Sequence, residues 1–219
     1  MCMSTIAVID YGGSNLRSVA KAVETVADAR DRVIVTEDAA AIARAARVVF
    51  PGQGAIGTCM QRLREAGLVD VVRQAARSRP FLGICLGLQS LMTDSDEDGG
   101  TDCLDIFPGG VRRFPLEPPP AADGTPRKVP HMGWNEVAWT GPHPLISGIT
   151  SGARFYFVHS YYVVPADDAV TIGQTSYIGT FTSALAADFV FATQFHPEKS
   201  SQAGLSLLRN FVAWDGAPD

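Results

Sequence analysis

Two short segments far apart in the chain hold residue types that together can do covalent chemistry. FLGICLGLQS, residues 81–90, is an apolar run that closes on Cys85 between Gly83 and Gly87 and then opens into a helical pattern. Such a run places the thiol on a tight elbow, its sulfur presented outward near a helix N-terminus, where N–H groups favour negative charge. ATQFHPEKS, residues 192–200, sets His196 and Glu198 two positions apart. On an extended backbone two such side chains leave the same face. A cysteine nucleophile, a histidine to move protons and a carboxylate to orient the histidine form a complete hydrolytic triad.

Each piece also has an ordinary reading. A cysteine that ends an apolar run is usually core, and a lone His-Pro-Glu is usually a strand end. A third segment shifts the balance. VVFPGQGA, residues 48–55, is a β-type run ending in Pro51, Gly52, Gln53 and Gly54. Its turn can aim the backbone N–H groups of Gln53 and Gly54 into a cleft, where with that of Leu86 they would form an oxyanion hole. Gly83 and Gly87 supply the small neighbours that a crowded nucleophile elbow requires.

These segments need a scaffold that gathers strand ends. The first half of the chain alternates β and α patterns. TIAVID is a strand, and Ser14 can cap a helix whose apolar positions Leu16, Val19, Ala20, Val23 and Val26 recur at helical spacing. RVIVT, an Ala-rich helix, VVFPG, helical stretches around Met60–Leu63 and Leu68–Ala76, and then FLGIC continue the alternation. The expected fold is α/β, a mostly parallel central sheet with helices on both faces and function at the C-terminal strand ends. In the second half, DSDEDGGTD at 94–102 reads as a solvated loop and LEPPPAADGTPRKVP at 116–130 as an irregular connection. RFYFVHSYYVV, AVTIGQTSY and DFVFATQF read as the strands of an antiparallel extension. Ser200 or Ser201 caps a last helix with Leu205, Leu208, Phe211 and Val212 inward. No repeat or linker interrupts residues 1–219, which read as a single domain.

The chain has 219 residues, 46% of them hydrophobic and 19% charged, enough for a proper core. A net charge of -5 and a pI near 5.3 argue against nucleic acid or an anionic membrane as partner. The N-terminus has no basic stretch ahead of its short apolar run, which Asp10 breaks; no signal peptide or membrane span is expected, and the location expected is cytoplasmic. Cys2, Cys59 and Cys103 show neither CxxC nor zinc spacing and read as ordinary reduced thiols. DYGGSN is a Gly-rich turn after a strand, but it lacks GxGxxG, so dinucleotide binding is weakly supported.

With these motifs in hand, the chain resembles the class I glutamine amidotransferases, whose triad is Cys, His, Glu in that order. PHMGWNEV at 130–137, DYGGSNLRSV at 10–19 and HPEKS at 196–200 further resemble the branch of that family that serves as glutaminase subunits of imidazole glycerol phosphate synthases. The likeness runs from Ile6 to the C-terminal helix. It implies a flavodoxin-like three-layer sandwich, glutamine as substrate, no metal or cofactor, and a heterodimer with a separate (β/α)8-barrel synthase (cyclase) subunit that uses the ammonia in histidine biosynthesis. It also implies Cys85, His196 and Glu198 as catalytic residues. Gly52, Gln89, Ser160 and Tyr161 would contact substrate, and Asn15, His131, Trp134 and Lys199 would face the partner, the HMGWN segment as a loop. Two departures stand out: Gln53 replaces a common Val in the oxyanion turn, and TDCLDIFPGG at 101–110 lacks a frequent Gly-Leu-Gly.

Outside these roles, His159 lies in an almost continuous apolar strand and reads as a satisfied core histidine, and His143, between two prolines, as a loop residue. Three rivals remain at this level. Another class I glutaminase, such as that of pyridoxal phosphate synthase or GMP synthase, is disfavoured by HMGWN and the lack of a fused synthetase. A cysteine peptidase is disfavoured by HPEKS. A flavodoxin-like binding module with a core cysteine would differ by failing to release glutamate from glutamine.

Overall fold

The computed structural model describes residues 4–13, 15–120 and 124–217. Five strands form the parallel heart of the sheet, in the order β2 (Asp31–Thr36), β1 (Ser4–Ile9), β3 (Arg47–Gly52), β4 (Phe81–Cys85) and β13 (Val190–Thr193). Alternate residues of each strand face opposite sides. Ala7 and Ile9 of β1, Val48 and Phe50 of β3 and Phe81 of β4 pack under α2 (Ala39–Arg44), α3 (Ile56–Glu65) and α4 (Val69–Ala76). Ile6, Val8, Val49, Leu82 and Ile84 pack under α1 (Leu16–Val26) and α6 (Ser201–Ala213). Two cores on the two faces of one sheet make the expected three layers. Among the described residues, no helix is long and apolar enough to cross a membrane.

The extension continues antiparallel from β13 through β12 (Thr180–Ala187) and β10 (Tyr161–Pro165) to β7 (Phe107–Arg113); β5 (Met92–Ser95) then pairs parallel to β7, and β6 (Thr101–Asp102) antiparallel to β5. A side ladder runs from β12 through β11 (Thr171–Ser176) and β8 (His131–Trp139) to β9 (Ala153–His159).

The structure corrects several expectations. DFVFATQF does not join the antiparallel half outright: its strand β13 runs parallel to β4 and antiparallel to β12. All four of its residues are buried, as an interior strand covered on both faces requires. RFYFVHSYYVV is two strands, broken at Ser160, with β9 paired to β8 and β10 to β7. HMGWN is no loop. It opens strand β8, with His131 and Val137 buried and Met132, Trp134 and Glu136 outward, the period-two pattern that its central glycine obscures. The acidic segment 94–102 is a hairpin of β5 and β6 around a 3-10 turn at Glu97–Gly99.

Helix caps differ as well. Ser14 and Cys2 lie outside the described residues; α1 begins after Asn15, which is left-handed at φ 72°. Ser200 precedes α6 without capping it through its side chain. Its hydroxyl instead donates to the His196 carbonyl at 2.6 Å and accepts from the Tyr156 N–H at 3.0 Å.

Candidate active site

Strands β3, β4 and β13 are adjacent and parallel, so their C-terminal ends open on one crevice. Gly52 ends β3 directly opposite Cys85, which ends β4, and His196 follows β13 by three residues. Cys85 has φ 53° and ψ −106°, a conformation that side-chain-bearing residues avoid unless their surroundings enforce it. The enforcement is steric. A Cβ on Gly87 would overlap the Phe50 carbonyl oxygen, and one on Gly52 would stand 2.7 Å from both the Leu86 Cβ and the Tyr11 hydroxyl. Glycines at these positions let β3 press against the elbow. The helix beyond it, α5 (Leu86–Gln89), is a single turn, too short to set a long dipole behind the sulfur.

His196 Nδ1 lies 2.8 Å from Glu198 Oε1, with the two side chains 1% and 0% exposed. The extended strand expected here ends at Thr193. Instead Pro197–Lys199 form a 3-10 turn, with proline near its start, and that turn swings Glu198 back under the imidazole. The His196 N–H donates to the Tyr156 carbonyl at 2.9 Å, fastening the turn to β9. His196 Nε2 is buried with no hydrogen-bond partner among the described residues, and the charge it faces is that of Cys85. Burial alone would lower the pKa of this imidazole. The Cys85 and Glu198 charges outweigh burial and raise it to about 10.

A cleft of about 420 Å³ opens over Cys85. Gln53, Gly54, Leu86, Glu97, Ser160, Tyr161 and Lys199 are among the residues that line it. Gly54 has φ 102°, a turn geometry suited to glycine. Gly52 lies behind this surface, against Leu86 and the buried Tyr11 hydroxyl, whose pKa burial pushes well up.

Some expected roles change. Gln89 borders the cleft but its amide is engaged: Nε2 donates to the Tyr161 carbonyl and to Gln194 Oε1, both at 3.0 Å. His131 is 3% exposed, stacked between Phe157 and Tyr177, and so does not present itself to a partner. Asn15 binds inward, donating to Glu198 Oε1 at 2.6 Å. Trp134 is exposed and meets Tyr156 edge-on at 6.2 Å, while the Lys199 ammonium lies over the same tyrosine at 5.9 Å.

Two residues of the site escape a reading of the sequence. Gln194 is fully buried and donates to Cys85 Sγ at 3.6 Å. Its place two residues before His196 was its only signal. Glu97, within the acidic stretch, turns into the cleft and accepts from the Ile56 N–H at 2.9 Å; burial raises its pKa.

Known proteins similar to this chain identify its family. A family model described as glutamine amidotransferase class-I matches residues 7–214. The imidazole glycerol phosphate synthase subunit HisH of Aromatoleum aromaticum is 58% identical over 212 residues, covering 97% of this chain and 99% of that protein. The subunit of the same name from Thiobacillus denitrificans is 54% identical, covering 96% and 91%. In fold, the chain is similar to the structure of PurLQS from Thermotoga maritima, with a TM-score of 0.70 at 15% identity and coverage of 96% and 98%. It is likewise similar to the glutaminase domain of a Trypanosoma brucei CTPS with bound acivicin, with a TM-score of 0.62 at 17% identity and coverage of 99% and 96%. The chain belongs to the class I glutamine amidotransferases and, on identity sustained over nearly its whole length, to the family of imidazole glycerol phosphate synthase HisH subunits.

Proposed function

We propose that residues 1–219 act as one glutaminase domain that hydrolyses glutamine and delivers ammonia to a separate synthase subunit. The observation that carries the reading is the strained Cys85 elbow, facing a buried His196–Glu198 pair 2.8 Å apart beneath an open cleft. The Cys85 sulfur attacks the side-chain amide carbon of glutamine. Backbone N–H groups of Gln53, Gly54 and Leu86 hold the oxyanion, each such donor contributing about 3 kcal/mol to the transition state. Cationic His196 gives its proton to the amide nitrogen, the C–N bond breaks and ammonia leaves. The imidazole then takes a proton from water, whose oxygen attacks the thioester carbon; the C–S bond breaks, releasing glutamate and restoring the sulfur anion. Glu198 orients the imidazole and stabilises its cation.

Substrate recognition divides along the cleft. The Glu97 carboxylate suits the α-ammonium of glutamine, while Ser160 and Tyr161 offer backbone groups to its amino-acid end. The names of the 58% and 54% identical relatives support a synthase partner and the making of imidazole glycerol phosphate. A (β/α)8-barrel form for that partner, cytoplasmic location and the absence of any metal requirement complete the reading. Replacing Cys85 by Ala tests it. Glutamine hydrolysis is expected to vanish while the assembled complex still makes product from added ammonium. Substantial residual glutaminase activity in Cys85→Ala would refute the assignment.

A further inference from the structure

Behind the cleft, two sets of hydrogen bonds, one from strand β8 and one from the sulfur of Cys85, converge on the backbone carbonyl of Tyr161. His131 and His159 sit directly opposite each other on β8 and β9, with His131 Nδ1 2.9 Å from His159 Nε2. His159 Nδ1 lies 2.8 Å from the Tyr161 carbonyl oxygen, and His131 Nε2 lies 3.2 Å from Asn135 Nδ2.

Both ends of this chain fix where its protons are. A carbonyl oxygen only accepts, so His159 must carry its proton on Nδ1 and leave Nε2 as the acceptor for His131 Nδ1–H. At the far end, the Asn135 amide cannot turn over: Oδ1 accepts from the Glu136 N–H at 2.8 Å, and Nδ2 donates to the Ser176 carbonyl at 2.9 Å. Its Nδ2 therefore donates to His131, whose Nε2 must be bare. The two ends independently demand the same arrangement, two neutral imidazoles that both carry the proton on Nδ1. Burial keeps both neutral, lowering the pKa of His131 to about 4 and that of His159 to about 3.

A second chain joins the same carbonyl to the reacting atom. The Tyr161 carbonyl that receives His159 also receives Gln89 Nε2 at 3.0 Å. Gln89 Nε2 is also 3.0 Å from Gln194 Oε1, which leaves Gln194 Nε2 to donate to Cys85 Sγ at 3.6 Å. We propose that His131 and His159 are positioning residues for glutamine hydrolysis: they fix the Tyr161 carbonyl in the cleft wall, and that carbonyl in turn anchors Gln89 and, through Gln194, the sulfur of Cys85. This rests on the glutaminase reading, which Cys85→Ala tests separately.

The alternative, that the pair merely fills volume among Phe114, Phe157, Tyr177 and Phe181, makes the opposite forecast for two substitutions. His159→Phe keeps an aromatic ring but has no donor for Tyr161. His159→Asn loses volume but can place its Nδ2–H where Nδ1–H stood. In folded protein assembled with its synthase, kcat/KM for glutamine is expected to fall about tenfold in His159→Phe, the order of one lost positioning bond, and to recover most of that in His159→Asn. Activity kept in Phe and lost in Asn would overturn the proposal. Nitrogen-15 NMR of the unsubstituted chain reads the histidine pair without any assay or variant: both imidazoles should be neutral Nδ1–H tautomers at neutral pH. An Nε2–H tautomer at either histidine would overturn it as well.

Discussion

Asn15 and Glu198 meet across 183 positions of sequence: Asn15 Nδ2 donates to Glu198 Oε1 at 2.6 Å, the same oxygen that lies 2.8 Å from His196 Nδ1. The carboxylate is thus held on one oxygen by two nitrogens, and its other oxygen has no partner among the described residues. A carboxylate pinned in this way cannot rotate away from the imidazole that it orients.

This bond can be isolated by substitution, provided that the left-handed backbone of Asn15 is respected. Asn15→Gly tolerates φ 72° and removes only the amide, so kcat for glutamine is expected to fall about fivefold to tenfold with little loss of folding. Asn15→Asp should be much worse, because it sets a second carboxylate against Glu198 in a buried site. Steady-state glutamine turnover of the complex checks both; an Asp variant as active as the Gly variant would count against the pinning argument.

Within the triad, the losses should be ranked. His196→Ala removes both proton transfers and is expected to cost nearly as much as loss of Cys85, several orders of magnitude in kcat. Glu198→Gln keeps the shape and a polar contact, so it should leave more activity than His196→Ala by at least about tenfold. Single-turnover assays on protein shown by circular dichroism to be folded would reveal the order, and the reverse order would contradict the roles given to these residues.

The elbow and its surroundings were not equally legible in the sequence. Cys85 between Gly83 and Gly87 was readable because steric crowding dictates residue type locally: at Gly87 only a hydrogen avoids the Phe50 carbonyl. The parallel core was readable for a similar reason, since β1, β3 and β4 declare themselves as buried apolar runs separated by helical periods. What the sequence concealed depends on pairing between distant segments. Gln194 and Gln89 become one network only once β13 lies beside β4, and His131 faces His159 only through the register of β8 with β9. The HMGWN segment looked like a loop because Gly133, at φ 131°, sits in the middle of what is a strand.

The buried histidines make stability depend on pH with a definite sign. His131 and His159 have folded pKa values of about 4 and about 3, below the ordinary 6.5. Below 6.5 the unfolded chain takes up protons that the folded chain refuses, so their contribution is present above 6.5 and is lost as pH falls toward 4. Each can add a slope of up to ~1.4 kcal/mol per pH unit in that window. His196, raised to about 10, acts in the opposite direction: its contribution is complete below 6.5 and fades as pH climbs toward 10. Urea unfolding across this range should show a slope on the acid side that is shallower in His159→Asn; an unchanged slope would mean that His159 titrates normally in the folded chain.

Coupling to the partner should travel along one short aromatic path. Trp134 stands exposed on β8, edge-on to Tyr156, and Tyr156 carries the Lys199 ammonium on its ring while its backbone grips both His196 and Ser200. A subunit pressed against Trp134 therefore pushes on the turn that bears Glu198, and on Lys199 at the cleft wall. The free chain is expected to hydrolyse glutamine slowly, with docking and ligand on the synthase accelerating it by completing the donor set near Gln53 and Gly54. Activation of about a hundredfold needs only about 2.7 kcal/mol, within reach of one repositioned N–H. Trp134→Ala and Lys199→Ala should each leave the free chain's slow rate nearly unchanged and cut the activation on docking by about tenfold. Glutamine turnover by the free chain, the complex and the two substituted complexes measures this; a free chain already at full rate, indifferent to its partner, would remove the regulatory role while leaving the triad intact.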